Sequence, residues 1–348
     1  MKFKILLLLI TFIYANECVA QKNMSKLKNN KFVLLIHGGA GTLKKENFPK
    51  ELEEKYQEIL NYALTIGQDT LKKGGLAIDV VELVVKILED SPLFNAGKGS
   101  VFNHYGVNEM DASIMDGRNL KCGAIAGVTN LKNPITGARI VKDSTKHVFL
   151  YGDKAQEFCL ENGVEYADSN YFYTSYRWKQ YQQALKKNKI ELDHSSNNDQ
   201  GNIFNFLDDK KFGTVGCVVL DIYGNLASAT STGGLTNKKY GRIGDSPIIG
   251  AGTYADNNTC AVSCTGRGEY FIRGTIARDI SAIMEYKGCS LKRSGKMTIK
   301  KLSEMKGKGG FIAVDSKGNY IMLFNTRGMF RGVVTNKKEP EVKIYKEI

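Results

Sequence analysis

Histidine is scarce in this chain, with 4 residues among 348. The histidines lie far apart, and no pair of cysteines stands near a pair of histidines at the spacing that zinc sites use. A transition-metal centre is therefore not expected. The sequence also lacks a Ser-His-Asp or Cys-His set in recognisable local context, and it has no phosphate loop ending in Gly-Lys-Ser/Thr. These absences exclude several common hydrolase and nucleotide-binding chemistries.

Long hydrophobic runs are missing after residue 20, so no later segment approaches the length of a membrane-spanning helix. Before that point, Lys2 and Lys4 form a basic start, residues 5–15 an apolar run, and Cys-Val-Ala at 18–20 a small-residue end. The pattern predicts a secretory signal peptide over residues 1–20, and a buried N-terminal strand or helix is the alternative. We expect a secreted protein, periplasmic where the source has two membranes. No membrane association is expected once the signal peptide is removed.

Removal of residues 1–20 leaves 328 of the 348 residues, enough for one large domain or two small ones. The net charge falls from +13 to +12, because that segment contains two lysines and one glutamate. The positive charge is scattered and does not alternate with aromatic residues, so a solvated surface is favoured over a nucleic-acid partner.

The cysteine pattern favours buried free thiols. Six cysteines follow the signal segment, an even number that permits disulfides in an exported protein. Their spacing is irregular, however, and several lie in apolar, strand-like context. The six are Cys122, Cys159, Cys217, Cys260, Cys264 and Cys289.

Hydrophobic periodicity divides the first half of the chain into elements. Residues 32–36 read as a strand that ends in a glycine-rich turn, His-Gly-Gly-Ala-Gly at 37–41. Residues 50–89 have apolar residues at helical spacing, and residues 110–140 read as short strands with turns. The polar stretch 186–213 predicts a long loop within a compact protein, which is often a functional feature.

The second half is rich in β-hairpins. Residues 214–220 and 226–230 read as strands joined by Asp-Ile-Tyr-Gly-Asn, and residues 311–321 repeat the same strand–turn–strand device. Residues 270–286 have apolar residues at roughly helical spacing. Helices grouped apart from hairpins indicate an α+β fold with antiparallel sheet rather than alternating parallel β-α units.

Glycine and threonine are concentrated around one strand, which begins with Gly213-Thr214-Val215-Gly216. Threonine is a poor nucleophile unless a base lies beside it. A threonine that becomes its own N-terminus supplies that base, since a free α-amine has a pKa of about 7.7–8.0. A strand-starting threonine chosen only for β-propensity is the structural alternative.

From about residue 31 to the C-terminus, the chain resembles the plant-type L-asparaginase/isoaspartyl peptidase family of N-terminal-nucleophile (Ntn) hydrolases, bacterial branch. Eight motifs in order carry the resemblance. They are His-Gly-Gly-Ala-Gly at 37–41, Pro-Leu-Phe-Asn-Ala-Gly at 92–97, Gly-Thr-Val-Gly at 213–216, Ser-Thr-Gly-Gly at 231–234, Gly-Arg-Ile-Gly-Asp-Ser at 241–246, Gly-Ala-Gly-Thr-Tyr at 250–254, Thr-Gly at 265–266 and Asn-Thr-Arg-Gly-Met at 325–329. The resemblance implies an amidohydrolase of the threonine-peptidase type, with the four-layer αββα sandwich of the Ntn hydrolases.

The resemblance also implies a role for each matching residue. Thr214 would be the nucleophile, exposed by autocatalytic cleavage after Gly213, with Thr232 beside its hydroxyl and Asn95 nearby. Thr265 and the backbone N–H of Gly266 would form the oxyanion hole. Arg242 would hold the substrate α-carboxylate and Asp245 its α-ammonium, unless these two form an ordinary surface ion pair. No cofactor is expected for the chemistry, but a structural sodium ion is expected on main-chain carbonyls of Leu88, Glu89, Ser91, Phe94, Ala96 and Lys98.

The expected mature protein is a single domain cleaved into subunits 21–213 and 214–348, which pair into a dimer of heterodimers. Its expected substrates are β-aspartyl (isoaspartyl) dipeptides and L-asparagine. Three alternatives remain open: a glycosylasparaginase on the same fold, a non-catalytic binding relative, and a basic nucleic-acid binder. Glycosylasparaginases usually have His-Asp before the nucleophile, whereas Phe212-Gly213 precedes Thr214 here.

Overall fold

The computed structural model describes residues 31–43, 45–186 and 213–346. Two sequence predictions therefore lie outside the described residues: the signal peptide over 1–20, and nearly all of the loop predicted over 186–213. Within the described ranges, no helix is long and apolar enough to cross a membrane.

Two β-sheets are formed by the described residues. The strands are β1 Val33–Gly41, β2 Met110–Asp116, β3 Cys122–Val128, β4 Phe149–Tyr151, β5 Val215–Leu220, β6 Leu226–Thr232, β7 Thr253–Ala255, β8 Cys260–Gly266, β9 Gly309–Asp315, β10 Tyr320–Phe324, β11 Gly328–Thr335 and β12 Glu341–Tyr345. The larger sheet has the order β12-β11-β1-β5-β6-β2-β3-β4, and the smaller has the order β10-β9-β8-β7. Among these strands only β3 and β4 pair in parallel.

Helices occupy three stretches of the described chain. They are α1 Lys50–Lys72, α2 Ala77–Glu89, α3 Pro134–Ser144, α4 Gly152–Glu161, α5 Ser169–Phe172, α6 Ser175–Lys186, α7 Gly268–Gly274, α8 Ile276–Lys287 and α9 Leu291–Glu304. Short 3-10 turns lie at Lys45–Asn47 and Gly97–Gly99.

Alternation along the strands builds four layers. On β1, Leu34 and Ile36 pack in one hydrophobic core with the buried face of α1, for example Leu60 and Leu64. The intervening residues, such as Leu35, pack in a second core between the two sheets. Helices α8 and α9 cover the outer face of the smaller sheet in a third core. Because strand side chains alternate in direction, one strand serves two layers, and the result is an αββα sandwich.

The predicted hairpins are present, but they lie in different sheets. Strands β5 and β6 pair antiparallel in the larger sheet, and β9 and β10 pair antiparallel in the smaller one. Both connections use an aspartate, Asp221 or Asp315, whose carboxylate accepts backbone N–H bonds of its own turn. The α+β prediction is confirmed, with the sheets stacked face to face.

Three local predictions are wrong. Residues 37–41 continue strand β1 through a bulge between His37 and Gly39 and do not form a turn. Residues 110–140 include helix α3, which begins at Pro134. The helix predicted over 270–286 is interrupted at Thr275, whose φ of 45° is left-handed. Pairing with β11 keeps residues 39–41 in the sheet, and Pro134 suits the first turn of a helix because no N–H donor is needed there.

The six cysteines after residue 20 are free thiols in the described structure. Cys159, Cys217, Cys260 and Cys264 are buried as expected, whereas Cys122 and Cys289 are only half-buried.

Candidate active site

Thr214 lies immediately before β5, in the centre of the larger sheet, and is buried. Its hydroxyl donates to Oγ1 of Thr232 at 3.2 Å. That oxygen also accepts from the backbone N–H of Gly234 at 3.0 Å. The carbonyl of Thr214 accepts from Nδ1 of His37 at 3.1 Å. The hydroxyl and the main chain of Thr214 are thus held separately, by β6 and by β1.

Asn95 organises the turn that follows Thr232. Its Nδ2 donates to the carbonyl of Gly234 at 2.8 Å, and its Oδ1 accepts from the N–H of Val101 at 3.0 Å. A β-carbon on Gly233 would lie 2.5 Å from that Oδ1, so only glycine fits at this position. Asn95 therefore acts on the site indirectly: it positions Gly234, whose N–H donates to the hydroxyl oxygen of Thr232.

The peptide at Gly213 packs directly on the bulge of β1. Gly39 has a φ of +109°, and a β-carbon there would lie 2.7 Å from both N and O of Gly213. Gly39 of the motif at 37–41 therefore allows the Gly213–Thr214 segment to approach the strand closely. This contact explains the motif better than the predicted turn does.

Thr265 and Gly266 end β8 in the smaller sheet, which packs on the larger one. Side chains two residues apart share a face of a strand, so Thr265 faces the same layer as Ser263, which bonds to His37 of β1. Thr265 is fully buried, and its Oγ1 has no hydrogen-bond partner among the described residues. A buried hydroxyl without a partner is costly unless a ligand uses it.

Arg242 and Asp245 converge on the beginning of α7. A β-carbon on Gly268 would lie 2.8 Å from Nη2 of Arg242 and 3.0 Å from Oδ1 of Asp245. Nε of Arg242 donates to Glu269 at 3.0 Å, which orients the guanidinium. The two residues are not a surface ion pair, since Asp245 is buried and the arginine pairs with Glu269.

Burial raises the pKa of Asp245 to about 7, against the smaller lowering effect of nearby Arg242. Its Oδ2 has no partner among the described residues. A buried carboxylate is unfavourable unless a cation or donor compensates it. Asp245 is thus suited to accept an ammonium group from a ligand, with the neighbouring Arg242 available for a carboxylate.

The segment from Leu88 to Lys98 runs from the end of α2 into the 3-10 turn. A β-carbon on Gly97 would lie 2.4 Å from the carbonyl oxygen of Glu89, and one on Gly99 would lie 2.1 Å from that of Phe94. The main chain thus approaches two of the expected carbonyl ligands so closely that only glycine is compatible with positions 97 and 99. Of the other four expected ligands, Leu88, Ser91 and Ala96 are buried and Lys98 is half-buried. Among the described residues, no group of acidic, histidine or cysteine side chains could hold a metal ion.

Sequence reasoning missed several buried polar groups around Thr214. Glu89 accepts from the hydroxyl of Ser231 at 2.6 Å and from the N–H of Ile135 at 3.0 Å. Ser263 bonds to His37, and Thr230 bonds to Ser263. A signal for Thr230 exists, because it lies two residues before Thr232 on β6 and so shares one face of the strand with it.

An αββα sandwich with a buried threonine at the start of a central strand defines an Ntn hydrolase, and the chain is an enzyme of this class. The match to known families is equally direct, since the asparaginase family profile covers residues 30–344. The chain belongs to the asparaginase family, as the resemblance in its motifs predicts.

Individual relatives align over nearly their whole length. The chain is 46% identical over 319 residues to isoaspartyl peptidase of Escherichia coli, covering 91% of this chain and 97% of that protein. It is 44% identical over 320 residues to isoaspartyl peptidase of Salmonella typhimurium, covering 91% and 100%. Isoaspartyl peptidase/L-asparaginase of Bos taurus is 40% identical over 298 residues, covering 85% and 91%.

Proposed function

We propose that this enzyme hydrolyses β-aspartyl dipeptides and L-asparagine, with Thr214 as nucleophile after cleavage of the Gly213–Thr214 bond. The observation that carries the proposal is the 3.2 Å contact between the hydroxyls of Thr214 and Thr232 at the start of β5. The relatives are named isoaspartyl peptidase and isoaspartyl peptidase/L-asparaginase, which supports the same substrates.

Maturation precedes hydrolysis in this proposal. In the intact chain, Oγ1 of Thr214 attacks the carbonyl carbon of Gly213, the C–N bond breaks, and the amine takes up a proton. Water then hydrolyses the resulting ester and releases residue 213 as a carboxylate and residue 214 with a free α-amine. That amine is the base that later accepts the hydroxyl proton. The glycine at 213 has no side chain to obstruct the attack on its carbonyl carbon.

Hydrolysis uses the groups around Thr214. Arg242 binds the α-carboxylate with two parallel N–H bonds, and Asp245 accepts from the α-ammonium. This orientation presents the β-carbonyl to Thr214, which attacks it and expels the amine. Thr265 and the N–H of Gly266 stabilise the oxyanion, and one such donor contributes roughly 3 kcal/mol. Water then releases aspartate from the β-aspartyl ester.

Cleavage of the Gly213–Thr214 bond would divide the chain into two subunits. Subunits 21–213 and 214–348 remain intertwined, because β1 of the first subunit lies between β5 and β11 of the second. We infer that two such heterodimers associate. Export with loss of residues 1–20 is supported by the basic start, the apolar run and the small-residue end of that segment.

We propose that a sodium ion binds at the Leu88–Lys98 loop, which is supported by the close packing of the Glu89 and Phe94 carbonyl oxygens beside Gly97 and Gly99. Leu88, Glu89, Ser91, Phe94, Ala96 and Lys98 would hold it through main-chain oxygens, the ligands that hard cations prefer. The ion would supply rigidity to the loop that contains Asn95, and no chemistry. Exchange of sodium for choline should lower the melting temperature, and an unchanged melting temperature would argue against the site.

A substrate panel tests the proposed function. Purified protein is given β-Asp-Leu, L-asparagine, L-glutamine and a glycosylated asparagine under one condition, and released aspartate or glutamate is measured. We expect the highest kcat/KM for β-Asp-Leu, since its leaving group offers more surface for binding than ammonia does. Glutamine, longer by one methylene, should react poorly. A preference for glycosylated asparagine would instead identify a glycosylasparaginase.

A further inference from the structure

A continuous chain of buried polar groups connects the main chain of Thr214 with the residue after Asp245. Beginning at the carbonyl of Thr214, the contacts run through His37, Ser263, Thr230, Thr253 and Ser113 to the carbonyl of Ser246. We call these five side chains the relay. Each of the five is 0% exposed.

The relay passes back and forth between the two sheets. His37, Thr230 and Ser113 belong to the larger sheet, on β1, β6 and β2, whereas Ser263 and Thr253 belong to β8 and β7 of the smaller sheet. The distances are short: 2.9 Å from His37 to Ser263, 2.7 Å on to Thr230, 2.6 Å on to Thr253 and 2.8 Å on to Ser113. Ser113 reaches the carbonyl of Ser246 at 2.5 Å.

The strands leave room for this chain of contacts. Gly216 pairs with His37 across β1 and β5, and a β-carbon on it would lie 2.0 Å from Oγ of Ser263 and 2.3 Å from Nε2 of His37. Any other residue at 216 would occupy the space in which the first two groups of the relay meet. The second glycine of the Gly213–Gly216 motif is explained by this contact.

The direction of the hydrogen bonds follows from the two ends. Burial lowers the pKa of His37 to about 3, so the ring is neutral and has one N–H. The carbonyl of Thr214 can only accept, which places that proton on Nδ1 and makes Nε2 an acceptor for Ser263. Ser263 then accepts from Thr230, and Thr230 accepts from Thr253.

The relay has one donor proton fewer than it has contacts. The carbonyls of Thr214 and Ser246 are both acceptors, and five neutral side chains supply one proton each for six contacts. With the orientation above, Ser113 is the group whose single proton has two acceptors, Thr253 and the carbonyl of Ser246. Longer contacts, from Ser263 to Ala229 and from Thr230 to Gly252, are 3.3 Å each and offer weaker alternatives.

We propose that the relay fixes the position of the nucleophile Thr214 relative to the substrate anchor Asp245, so that disturbing either end alters the chemistry at both. Its members are positioning residues and do not touch the substrate. The part of the proposal that concerns substrate binding rests on the proposed function. The proposal applies equally to self-cleavage at Gly213–Thr214, which needs no substrate. Cooperative strengthening along buried hydrogen-bond chains is the physical basis.

Ser113→Ala provides the decisive test, because Ser113 lies at the Asp245 end. We expect self-cleavage of freshly translated chain to slow about tenfold, the effect of losing one buried hydrogen bond on a barrier. Ser228→Ala is the matched control: Ser228 is equally buried on β6 and donates to the carbonyl of Val262 at 2.6 Å, outside the relay. It should change self-cleavage less than about threefold while costing similar stability.

Double variants distinguish a coupled relay from hydrogen bonds that act independently. Ser113→Ala and Ser263→Ala together should cost little more than the worse single change. Ser281→Ala, whose buried hydroxyl bonds to Thr259 away from the relay, should instead combine multiplicatively with Ser263→Ala. Thr230→Ser, which keeps the hydroxyl, should retain most of the rate that Thr230→Val loses. If Ser113→Ala fails to fold, Thr253→Val and Thr253→Ser repeat the comparison at the same end.

Two outcomes would overturn the relay. One is equal slowing of self-cleavage by Ser113→Ala and Ser228→Ala, and the other is independent effects of Ser113→Ala and Ser263→Ala. The wild-type chain is assayed in parallel on β-Asp-Leu. Self-cleavage without hydrolysis of that dipeptide would refute the proposed substrate. The self-cleavage rates of the variants would still test the relay.

Discussion

The two ends of the interface between the sheets are built on different principles. At one end the facing residues are aliphatic, including Val33, Leu35, Val218, Leu220, Ile312 and Val314. At the other end the same strands present polar groups: β1 continues from Leu35 to His37, and β8 from Ala261 to Ser263 and Thr265. The change occurs within two residues on each strand.

This difference shows how one sandwich serves both stability and chemistry. Aliphatic contacts are non-directional, so the apolar end holds the sheets together without defining the position of any single atom. Hydrogen bonds are directional and short, so the polar end places particular atoms at particular distances. Thr214, Thr232 and Thr265 all lie at the polar end. The comparison predicts that substitutions at the two ends will affect different measurements.

The largest effect is expected from Thr214→Ala. Without the hydroxyl the chain cannot attack the Gly213 carbonyl, and no nucleophile is available for substrate, so hydrolysis should fall on the order of 10⁵-fold or more. Mass spectrometry of the variant should show a single chain that begins after residue 20. The wild type should give two fragments, the smaller beginning at Thr214. Cleavage of the variant at that bond would contradict an intramolecular mechanism.

At the apolar end, Leu35→Ala should reduce the free energy of unfolding by about 3 kcal/mol, because it leaves a cavity between the sheets. The kcat/KM of the folded fraction should stay within about twofold of the wild type, since no directed contact of the site is lost. Urea unfolding and active-site titration measure the two quantities. A large fall in kcat/KM with little loss of stability would break the distinction between the two ends.

Arg242→Lys should lower kcat/KM for β-Asp-Leu on the order of 50-fold, because an ammonium cannot replace the two parallel N–H donors of the guanidinium. Maturation should proceed at the wild-type rate, since no free α-carboxylate takes part in it. Steady-state kinetics and gel analysis of the fragments provide the measurements. Equal loss of both processes would point to a structural role for Arg242.

The smallest effect concerns pH. Asp245 binds an ammonium only as a carboxylate, and its pKa in the free protein is raised to about 7 by burial. The Thr214 α-amine must also be deprotonated, at a pKa of about 8. Below pH 6 the logarithm of kcat/KM should therefore rise with a slope approaching two, as both groups lose protons. Asp245→Asn should reduce the slope to about one, and an unchanged slope would contradict the role of Asp245.

Much of the fold was predictable because it depends on local patterns. The Asp-x-x-Gly-Asn turns identified both hairpins, and helical periodicity located α1 and α2 within residues 50–89. The motif at 37–41 was predicted as a turn, because five residues rich in glycine usually end a strand. It remains in the sheet since β11 pairs with it through the bulge and Gly213 packs against Gly39.

The sequence by itself determined which residue types are available and where regular elements begin: a threonine after Gly213, an arginine and an aspartate three residues apart, and hydroxyls at period two on β6. Only the tertiary structure decided that His37 meets Ser263, 226 positions away, and that Arg242 and Asp245 converge on Gly268. Local periodicity specifies the face on which a side chain lies. The partner across the interface depends on strand order and sheet stacking, which the chain settles only when both sheets are formed.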